Sequence, residues 1–226
     1  MLNVSSFAAG QWVTPDSGAR PIASAITGEI IAQAGNATLD VAGMHAYARE
    51  VGGPALRKLT FHDRARMLKA LAMHLTEHKQ QLYDLSFETG ATQSDHAFDI
   101  DGGIGTMFVF ASKGRREMPD AQIYLDGEIE QLGRTGTFLG QHVCVPMQGV
   151  GIHINAYNFP VWGMLEKFAP TFLAGVPSIV KPATASCYVT HLCVKLMLDS
   201  GILPEGALQL ISGGVGDLLL HTDAQD

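Results

Sequence analysis

The chain has 226 residues, of which 46% are hydrophobic, enough to bury the core of one large domain or one and a half. Its net charge is −7 and no block of Lys or Arg stands out, so we expect neither nucleic acid nor an anionic membrane as a partner. No apolar run reaches the roughly 18 residues that cross a bilayer. Because no secretory signal is visible either, we expect a cytoplasmic protein.

The first sixty residues predict short strands and then a helix. Residues 7–34 contain strand-like runs at Gly10–Val13 and Thr27–Gln33, with turn-forming residues at Asp16–Gly18 between them. A helix is predicted from about residue 40 to 51, and Gly52-Gly53-Pro54 is expected to end it.

The clearest helix follows Thr60. Apolar residues recur at steps of three, four and seven, which predicts one buried stripe: Phe61, Ala65, Leu68, Ala72, Leu75, Leu82 and Leu85. Thr60 and Asp63 form a start similar to a capping box, and Gly90 is expected to end the element.

A further helix is predicted over Ser94–Glu117, and it contains the cluster Gly102-Gly103-Ile104-Gly105. A dinucleotide-binding loop has this composition, but it follows an apolar strand, and none precedes this cluster. We therefore interpret the glycines as the close-packed face of a helix.

The remaining chain predicts strands and then strand–helix alternation. Residues 123–154 read as a protruding β-hairpin with its turn at Gly133–Gly136, and a return strand. Alternation follows, with strands at Val150–Ile154, Ser178–Lys181 and Leu208–Ile211, helices at Val161–Leu173 and Ala185–Asp199, and a last helix opened by Ser212–Asp217. This order predicts an α/β fold with a parallel sheet. Ligands bind such sheets at the carboxyl ends of strands, here the turns after Ile154, Val180 and Ile211.

Three features of these turns could carry chemistry. Asn158 could donate a hydrogen bond to a developing oxyanion, although a helix N-cap is the more common role of such a residue. Lys181 could reach a ribose or a phosphate, or it could be a surface lysine. The backbone of Ser212–Gly216 could meet a phosphate, or it could be a plain glycine turn with Ser212 as the cap.

The other reactive side chains are expected to be structural. Cys144, Cys187 and Cys193 are predicted to be buried, inert thiols, because each has apolar neighbours or lies in an alternating strand. His153 is interpreted as a sheet residue, and we expect no metal site among the nine histidines.

Several motifs resemble the aldehyde dehydrogenase superfamily over essentially the whole chain. They are, in order, Thr27-Gly-Glu-Ile-Ile-Ala32, Asn158-Phe-Pro160, Ala169-Pro170 to Ala174-Gly175, Lys181-Pro182 and Gly201-Ile-Leu-Pro-Glu-Gly206. The segments Asn155–Lys167 and Asp101–Thr106 are similar to one branch, the bifunctional ring-opening enzymes of bacterial phenylacetate catabolism.

The resemblance implies a role for each matching residue. Asn158 becomes the oxyanion donor, and Lys181 a ligand of the adenosine ribose. The cofactor-binding residues would be Ile154, Asn155, Ala156, Tyr157, Lys181, Ala183, Thr184, Gly213 and Gly216. Thr184 stands where NAD-preferring members often carry a glutamate, so NADP is the expected cofactor, with NAD possible.

The resemblance also implies a function and an organisation. The expected fold is a truncated Rossmann-type sheet with flanking helices: residues 1–122 and 155–226 bind the cofactor, 123–154 form an oligomerisation hairpin, and the catalytic domain is missing. The chain is expected to be the N-terminal fragment of an enzyme that oxidises a CoA-linked semialdehyde. The nucleophilic cysteine and the basic glutamate of that enzyme are expected beyond Asp226. A relative acting on another acyl or phosphorylated aldehyde, and a catalytically inactive cofactor-binding or assembly module, remain the alternatives.

Overall fold

A computed structural model describes residues 1–226. Its ten strands are β1 (Leu2–Val4), β2 (Ser6–Ala8), β3 (Gln11–Val13), β4 (Ser17–Ala23), β5 (Ile30–Asn36), β6 (Tyr124–Gln131), β7 (Leu139–Cys144), β8 (Gly151–Ile154), β9 (Ser178–Lys181) and β10 (Leu208–Leu210). Its α-helices are α1 (Val41–Tyr47), α2 (Gly53–Arg57), α3 (Phe61–Ser86), α4 (Gln93–His96), α5 (Gly102–Arg116), α6 (Trp162–Leu173) and α7 (Cys187–Asp199).

The sheet that carries the site has five strands in the order β3-β2-β10-β9-β8. Strands β8, β9 and β10 are parallel, whereas β2 and β3 join antiparallel at the β10 edge. Ile154 pairs with Lys181, and Val180 pairs with Leu210. The parallel α/β sheet predicted from the alternation of strands and helices is confirmed, and the ends of its three parallel strands share one edge.

Two smaller sheets complete the strand structure. In the first, β5 pairs parallel with β1 and antiparallel with β4. The second is the β6–β7 hairpin, whose residues are nearly all exposed, including large apolar ones. The predicted protruding hairpin is thus confirmed.

Most of the helices pack into one main core, and α1 packs into a second cluster of eight buried residues. Helix α3 lies against α5 and α7, and α5 also packs on α6. The core contains 33 buried residues drawn both from the chain before the hairpin and from the chain after it. None of the helices is long and apolar enough to cross a lipid bilayer.

The predicted helix over residues 40–51 does not stop at the glycines. Helix α1 continues through a π-helical turn at Ala48–Gly52 directly into α2, which ends at Arg57. Pro54 lies in the first turn of α2, where a missing backbone N–H is tolerated. Gly52 touches the carbonyl of Gly206 so closely that a Cβ would not fit. Here the glycine serves close packing, and it does not break the helix.

The two longer helical predictions are confirmed. Thr60 and Asp63 form a true capping box at the start of α3, and Gly90 follows it in a left-handed conformation with φ of +82°. The predicted helix over Ser94–Glu117 is α4 and α5 joined by a π-helical turn, Ala97–Asp101. Gly103 approaches the backbone of Trp162, as the close-packing interpretation requires.

The last predicted helix is wrong. Residues 212–217 form a loop, followed only by a 3₁₀ turn at Leu218–His221. Gly213 and Gly216 have φ of +90° and +56°, a left-handed conformation that cannot continue into a right-handed helix. The N–H of Gly214 instead donates to Asn36 Oδ1 at 2.8 Å, which ties the loop to the end of β5.

Candidate functional site

The turns after the three parallel strands meet at one edge of the sheet, which we call the rim. The N–H of Asn155 donates to the Lys181 carbonyl at 3.0 Å, and the N–H of Ile211 donates to the Val180 carbonyl at 2.8 Å. The Thr184 hydroxyl lies 3.5 Å from the carbonyl of Gly213. The expected convergence of these turns is therefore confirmed.

Asn158 lies in the turn between β8 and α6, and its side chain is exposed. Its amide makes no hydrogen bond, and α6 begins only at Trp162, so Asn158 is not the helix cap that its residue type favours. That interpretation of the sequence is wrong. The amide is therefore free to bind a ligand.

The cap of α6 comes from Asp99, in the π-helical turn before α5. Its Oδ1 accepts from the N–H of Trp162 at 2.7 Å and from that of Val161 at 3.1 Å. Burial raises the pKa of Asp99 to about 6, although the two backbone donors oppose the shift. The carboxylate fixes the first turn of α6 and hence the chain that leads back to Asn158.

Nothing in the local sequence distinguishes Asp99 as this cap. It stands two residues before Asp101, which accepts from Lys79 and Tyr83 on α3. Both acids look alike in the sequence, and their partners lie on helices that the sequence does not place beside them.

Asn155 is the first residue after β8, and only 6% of its surface is exposed. Neither the oxygen nor the nitrogen of its side-chain amide has a hydrogen-bond partner. Buried amides are almost always paired, because the loss of hydration is costly. An unpaired amide at the rim fits a site for a polar ligand.

Lys181, at the end of β9, is 5% exposed, so its interpretation as a surface lysine is wrong. Its Nζ donates to the Pro182 carbonyl, and it has no carboxylate partner. Burial lowers the pKa of this amine. A buried cation without a counter-ion fits a site for an anionic or hydroxyl-rich ligand.

Helix α7 and the turn before it hold the Asn158 turn in place. The Ser186 hydroxyl donates to the Tyr157 carbonyl at 2.7 Å, and the Thr190 hydroxyl donates to the Pro160 carbonyl at 2.8 Å. These bonds fix the backbone on both sides of Asn158 and thereby restrict its position.

Asn158 lies between two cavities. The larger, of about 750 Å³, is lined by the Tyr157–Pro160 turn, by Thr184–Ser186, by part of β4, by the end of α3 and by Asp99. The smaller, of about 280 Å³, is lined by Ala156, Asn158, Phe159 and the first turn of α6 with Glu166 and Lys167. A ligand in either cavity would contact Asn158.

The structure brings most of the predicted cofactor residues to the rim, but in different settings. Ile154 and Tyr157 are 48% and 67% exposed, and Ala156 is exposed as well. Ala183 and Thr184 are half-buried. Gly213 packs on Gly35 and Asn36, whereas Gly216 lines a separate small cavity with Ser212 and Asp217. Of the predicted cofactor residues, Tyr157 and Thr184 line the larger cavity at Asn158 and Ala156 lines the smaller, whereas the others line neither.

Two of the three cysteines are buried, as predicted, and the third is not. Burial raises the pKa of Cys187 to about 11 and raises that of Cys193 further, so both stay protonated. Cys144 is exposed, because it lies in β7, and the hairpin has no covering layer. The prediction of a buried Cys144 is wrong.

His153 packs within the sheet as predicted, with its Nε2 3.2 Å from the Thr171 hydroxyl. Burial lowers its pKa to about 4, so the ring is neutral near pH 7. The expectation of no metal site among the histidines does not account for one pair with ligand spacing. His74 and His78 lie four residues apart on α3, and Glu77 is close to both.

Parallel strands joined by helices, with polar turns at one edge, define an α/β protein with a Rossmann-type sheet. The family comparison makes the assignment specific. The model of the aldehyde dehydrogenase family matches residues 12–225, and the chain belongs to this family.

Similar proteins support both conclusions. The chain is 36% identical to 3,4-dehydroadipyl-CoA semialdehyde dehydrogenase of Aromatoleum evansii, over 100% of this chain and 44% of that protein. A NAD-dependent benzaldehyde dehydrogenase from Corynebacterium glutamicum superposes with a TM-score of 0.81 at 21% identity, over 98% of this chain and 47% of the other. Betaine aldehyde dehydrogenase from Staphylococcus aureus, solved with NAD⁺, gives a TM-score of 0.80 at 23% identity, over 96% and 42%. The chain thus spans less than half the length of these proteins.

Proposed function

We propose that this chain is the N-terminal, cofactor-binding part of an NAD(P)-dependent aldehyde dehydrogenase that oxidises a CoA-linked semialdehyde to the acid. The observation that carries the proposal is the unpaired, buried amide of Asn155 beside Lys181 at the ends of two parallel strands. The substrate class follows the similarity to the CoA-semialdehyde dehydrogenase of Aromatoleum evansii, and aromatic catabolism of the phenylacetate type is its proposed context.

The rim would hold the cofactor. The side-chain amide of Asn155 has no hydrogen-bond partner, and the ammonium group of Lys181 donates to one backbone carbonyl only. In our proposal Lys181 binds the adenosine ribose, while Ile154, Ala156 and Tyr157 line the cleft, and Ala183, Gly213 and Gly216 approach the adenosine side. When bound, the nicotinamide group accepts a hydride from the substrate carbon.

Asn158 would stabilise the transition state. A thiolate adds to the aldehyde carbon, and negative charge develops on the oxygen. The Asn158 amide is exposed, makes no internal hydrogen bond and sits on a turn fixed by Ser186 and Thr190. It can therefore donate to this oxygen without first breaking another bond.

The nucleophile in this proposal comes from outside residues 1–226. Cys187 and Cys193 are buried with raised pKa values, and Cys144 lies on the hairpin. The general base is likewise assigned to the rest of the polypeptide. Residues 1–122 and 155–226 are proposed to form the cofactor-binding unit.

We propose NADP as the preferred cofactor. Thr184 and Ala183 bring no negative charge to the rim, and Lys181 brings a positive one. A 2′-phosphate on the ribose would gain from the cation and would meet no repelling carboxylate from residue 184.

The hairpin supports an additional role in assembly. Large apolar side chains are at least half exposed on both strands and at their connection, among them Leu125, Ile129, Leu132, Phe138 and Leu139. Such a row is rare on the surface of a monomer and is typical of a protein contact. We propose that residues 123–154 form a homo-oligomer contact.

We also propose a cytoplasmic location, which the free thiols of the three cysteines support.

The test uses the complete polypeptide that contains residues 1–226. Calorimetric titration should give tighter binding of NADP than of NAD, and Lys181→Met should weaken NADP binding. Asn158→Ala should lower kcat about 10²- to 10³-fold in semialdehyde oxidation while the Kd for NADP stays unchanged. Normal turnover of Asn158→Ala would refute its role. Absence of nicotinamide binding would refute the enzyme proposal and leave the assembly module.

A further inference from the structure

Two histidines and a glutamate form a cluster on α3, away from the rim. His74, Glu77 and His78 occupy positions i, i+3 and i+4, which share one face of a helix. One potential ligand atom from each residue lies within 4.8 Å of the other two. Both histidines are half-buried and Glu77 is exposed, so the cluster is open to solvent on one side.

The ring of His78 is held in an orientation that suits metal binding. The Nδ1 of His78 lies 2.8 Å from the backbone carbonyl of His74. A carbonyl can only accept, so Nδ1 carries the proton and Nε2 presents its lone pair. Metal-binding histidines are commonly oriented by such a bond from the other ring nitrogen. The two ring centroids lie 4.2 Å apart.

The remaining ligand atoms are not used within the protein. The Nε2 of His74 is shielded from water and has no hydrogen-bond partner. Glu77 forms no ion pair, whereas Lys79, two residues further on, pairs with Asp101 on the neighbouring element. The cluster therefore has a negative charge and imidazole nitrogens available for a cation.

We infer that His74, Glu77 and His78 form a binding site for a divalent transition-metal cation, with Zn²⁺ as the best match. Imidazole suits Zn²⁺, Cu²⁺ and Ni²⁺, and two histidines with one carboxylate and a water complete a tetrahedral zinc site. Two histidines four residues apart on a helix also bind the metal in zinc peptidases, one class of which has the order His-x-x-Glu-His. We assign no hydrolytic activity, because these residues line neither cavity at Asn158.

A bound cation would join two successive turns of α3. Because it binds only where the helix places the three side chains together, it would stabilise the folded chain in proportion to its concentration. The site does not share residues with the proposed cofactor cleft, so the inference of metal binding does not depend on whether the chain binds NADP.

The test is calorimetric titration of the chain with ZnCl₂ in a buffer that does not bind metal. We expect one Zn²⁺ per chain, and His74→Gln and His78→Gln should each weaken binding at least about tenfold. Glutamine suits a helix, so circular dichroism should show α3 intact. The control is His142→Gln, an exposed histidine on the hairpin, which should leave the titration unchanged.

A second readout separates this site from weak binding to scattered histidines. ZnCl₂ should raise the melting temperature of the unmodified chain and of His142→Gln but not of His74→Gln or His78→Gln. Equal titrations for all four proteins, or no binding by the unmodified chain, would overturn the inference.

Discussion

The Asp99 carboxylate closes the N-terminus of α6 by accepting the N–H of Trp162 at 2.7 Å, across 63 residues of sequence. Helix α6 has no cap of its own, since the residue before it, Val161, lacks a side-chain acceptor. The bond joins the π-helical turn before α5 to the helix that follows Asn158. One buried carboxylate thereby links the helical core to the turn that we assign to catalysis.

Removal of this cap should destabilise the chain. Asp99→Ala leaves the N–H groups of Val161 and Trp162 without an acceptor, and we expect a loss of about 2 kcal/mol at pH 5. Urea unfolding followed by circular dichroism measures it. The control is Asp84→Ala on the exposed face of α3, for which we expect a change within about 0.5 kcal/mol. Equal effects of the two substitutions would contradict the capping role.

The pH dependence of this cap has a definite sign. Burial raises the pKa of Asp99 from 3.8 to about 6, so the folded chain holds this proton more tightly than the unfolded chain. The stabilisation that this tighter proton binding gives the folded chain is fully present below pH 3.8 and is lost as the pH rises through about 6. Between pH 5 and pH 7 the unmodified chain should therefore lose about 1 kcal/mol relative to Asp99→Asn, which cannot ionise.

His153 and His191 act in the opposite direction. Burial lowers the pKa of each ring to about 4, so their contribution to stability is lost as the pH falls from 6.5 towards 4. Both Asp99→Asn and the unmodified chain contain these two histidines, so the difference between their unfolding free energies excludes the histidine contribution. Parallel curves of unfolding free energy against pH would show that Asp99 does not titrate in this range.

Local signals explain which parts of the fold the sequence predicts. The start of α3 is specified by Thr60 and Asp63, three residues apart, so their capping box can be predicted from the sequence. The cap of α6 is Asp99, whose partner is remote in sequence, whereas residue type favours the nearer Asn158. The sequence pattern correctly predicts Lys181 at a strand end, but the burial of its side chain depends on the layers that cover it.

The glycines of α5 offer a matched pair for a packing prediction. A Cβ on Gly103 would lie 2.9 Å from Trp162 Cα, whereas a Cβ on Gly105 would meet nothing within 4 Å. Gly103→Ala should cost about 1–3 kcal/mol because the backbone of α6 must move. Gly105→Ala should instead stabilise by up to about 1 kcal/mol through helix propensity. Thermal unfolding measures both, and stabilisation by both would contradict the close contact.

Arg64 is fully buried without a carboxylate partner, and it binds carbonyl groups instead. Its Nε donates to the Leu173 carbonyl at 2.8 Å at the end of α6, and its Nη1 donates to the carbonyls of Leu56 and Leu59. The cation therefore faces the negative ends of two helices, α2 and α6. Burial lowers its pKa to about 10, which still leaves it charged at pH 7.

Replacement of this guanidinium should have a large effect. Arg64→Met keeps most of the volume but leaves two buried carbonyls and one partly buried carbonyl without this donor, and we expect a loss of about 3 kcal/mol. Arg66→Met is the control, since Arg66 is more than half exposed and its ion pair with Asp63 contributes about 0.5 kcal/mol. Chemical denaturation gives both values. A loss no larger than that of the control would show that water replaces the guanidinium.

Glycine and histidine patterns show where sequence interpretation fails. The glycines at 213 and 216 resemble the opening of a helix, but both are left-handed, and the loop is attached to Asn36, which is remote in the sequence. The pair His74 and His78 was visible in the sequence as an i, i+4 spacing on a predicted helix. What the sequence could not show is the bond that orients His78.

The last prediction concerns the choice between NADP and NAD. Thr184 is half-buried at the rim, so Thr184→Glu should place a carboxylate where we expect the 2′-phosphate. Repulsion should raise the Kd for NADP at least about tenfold, roughly 1.4 kcal/mol, while the Kd for NAD falls or stays constant. Calorimetry on the complete polypeptide measures both constants. Thr14→Glu adds the same charge at an exposed position outside both the rim and the hairpin, and it should change neither. An unchanged ratio of the two constants in Thr184→Glu would mean that residue 184 does not face the ribose, and the proposed preference would lose its physical basis.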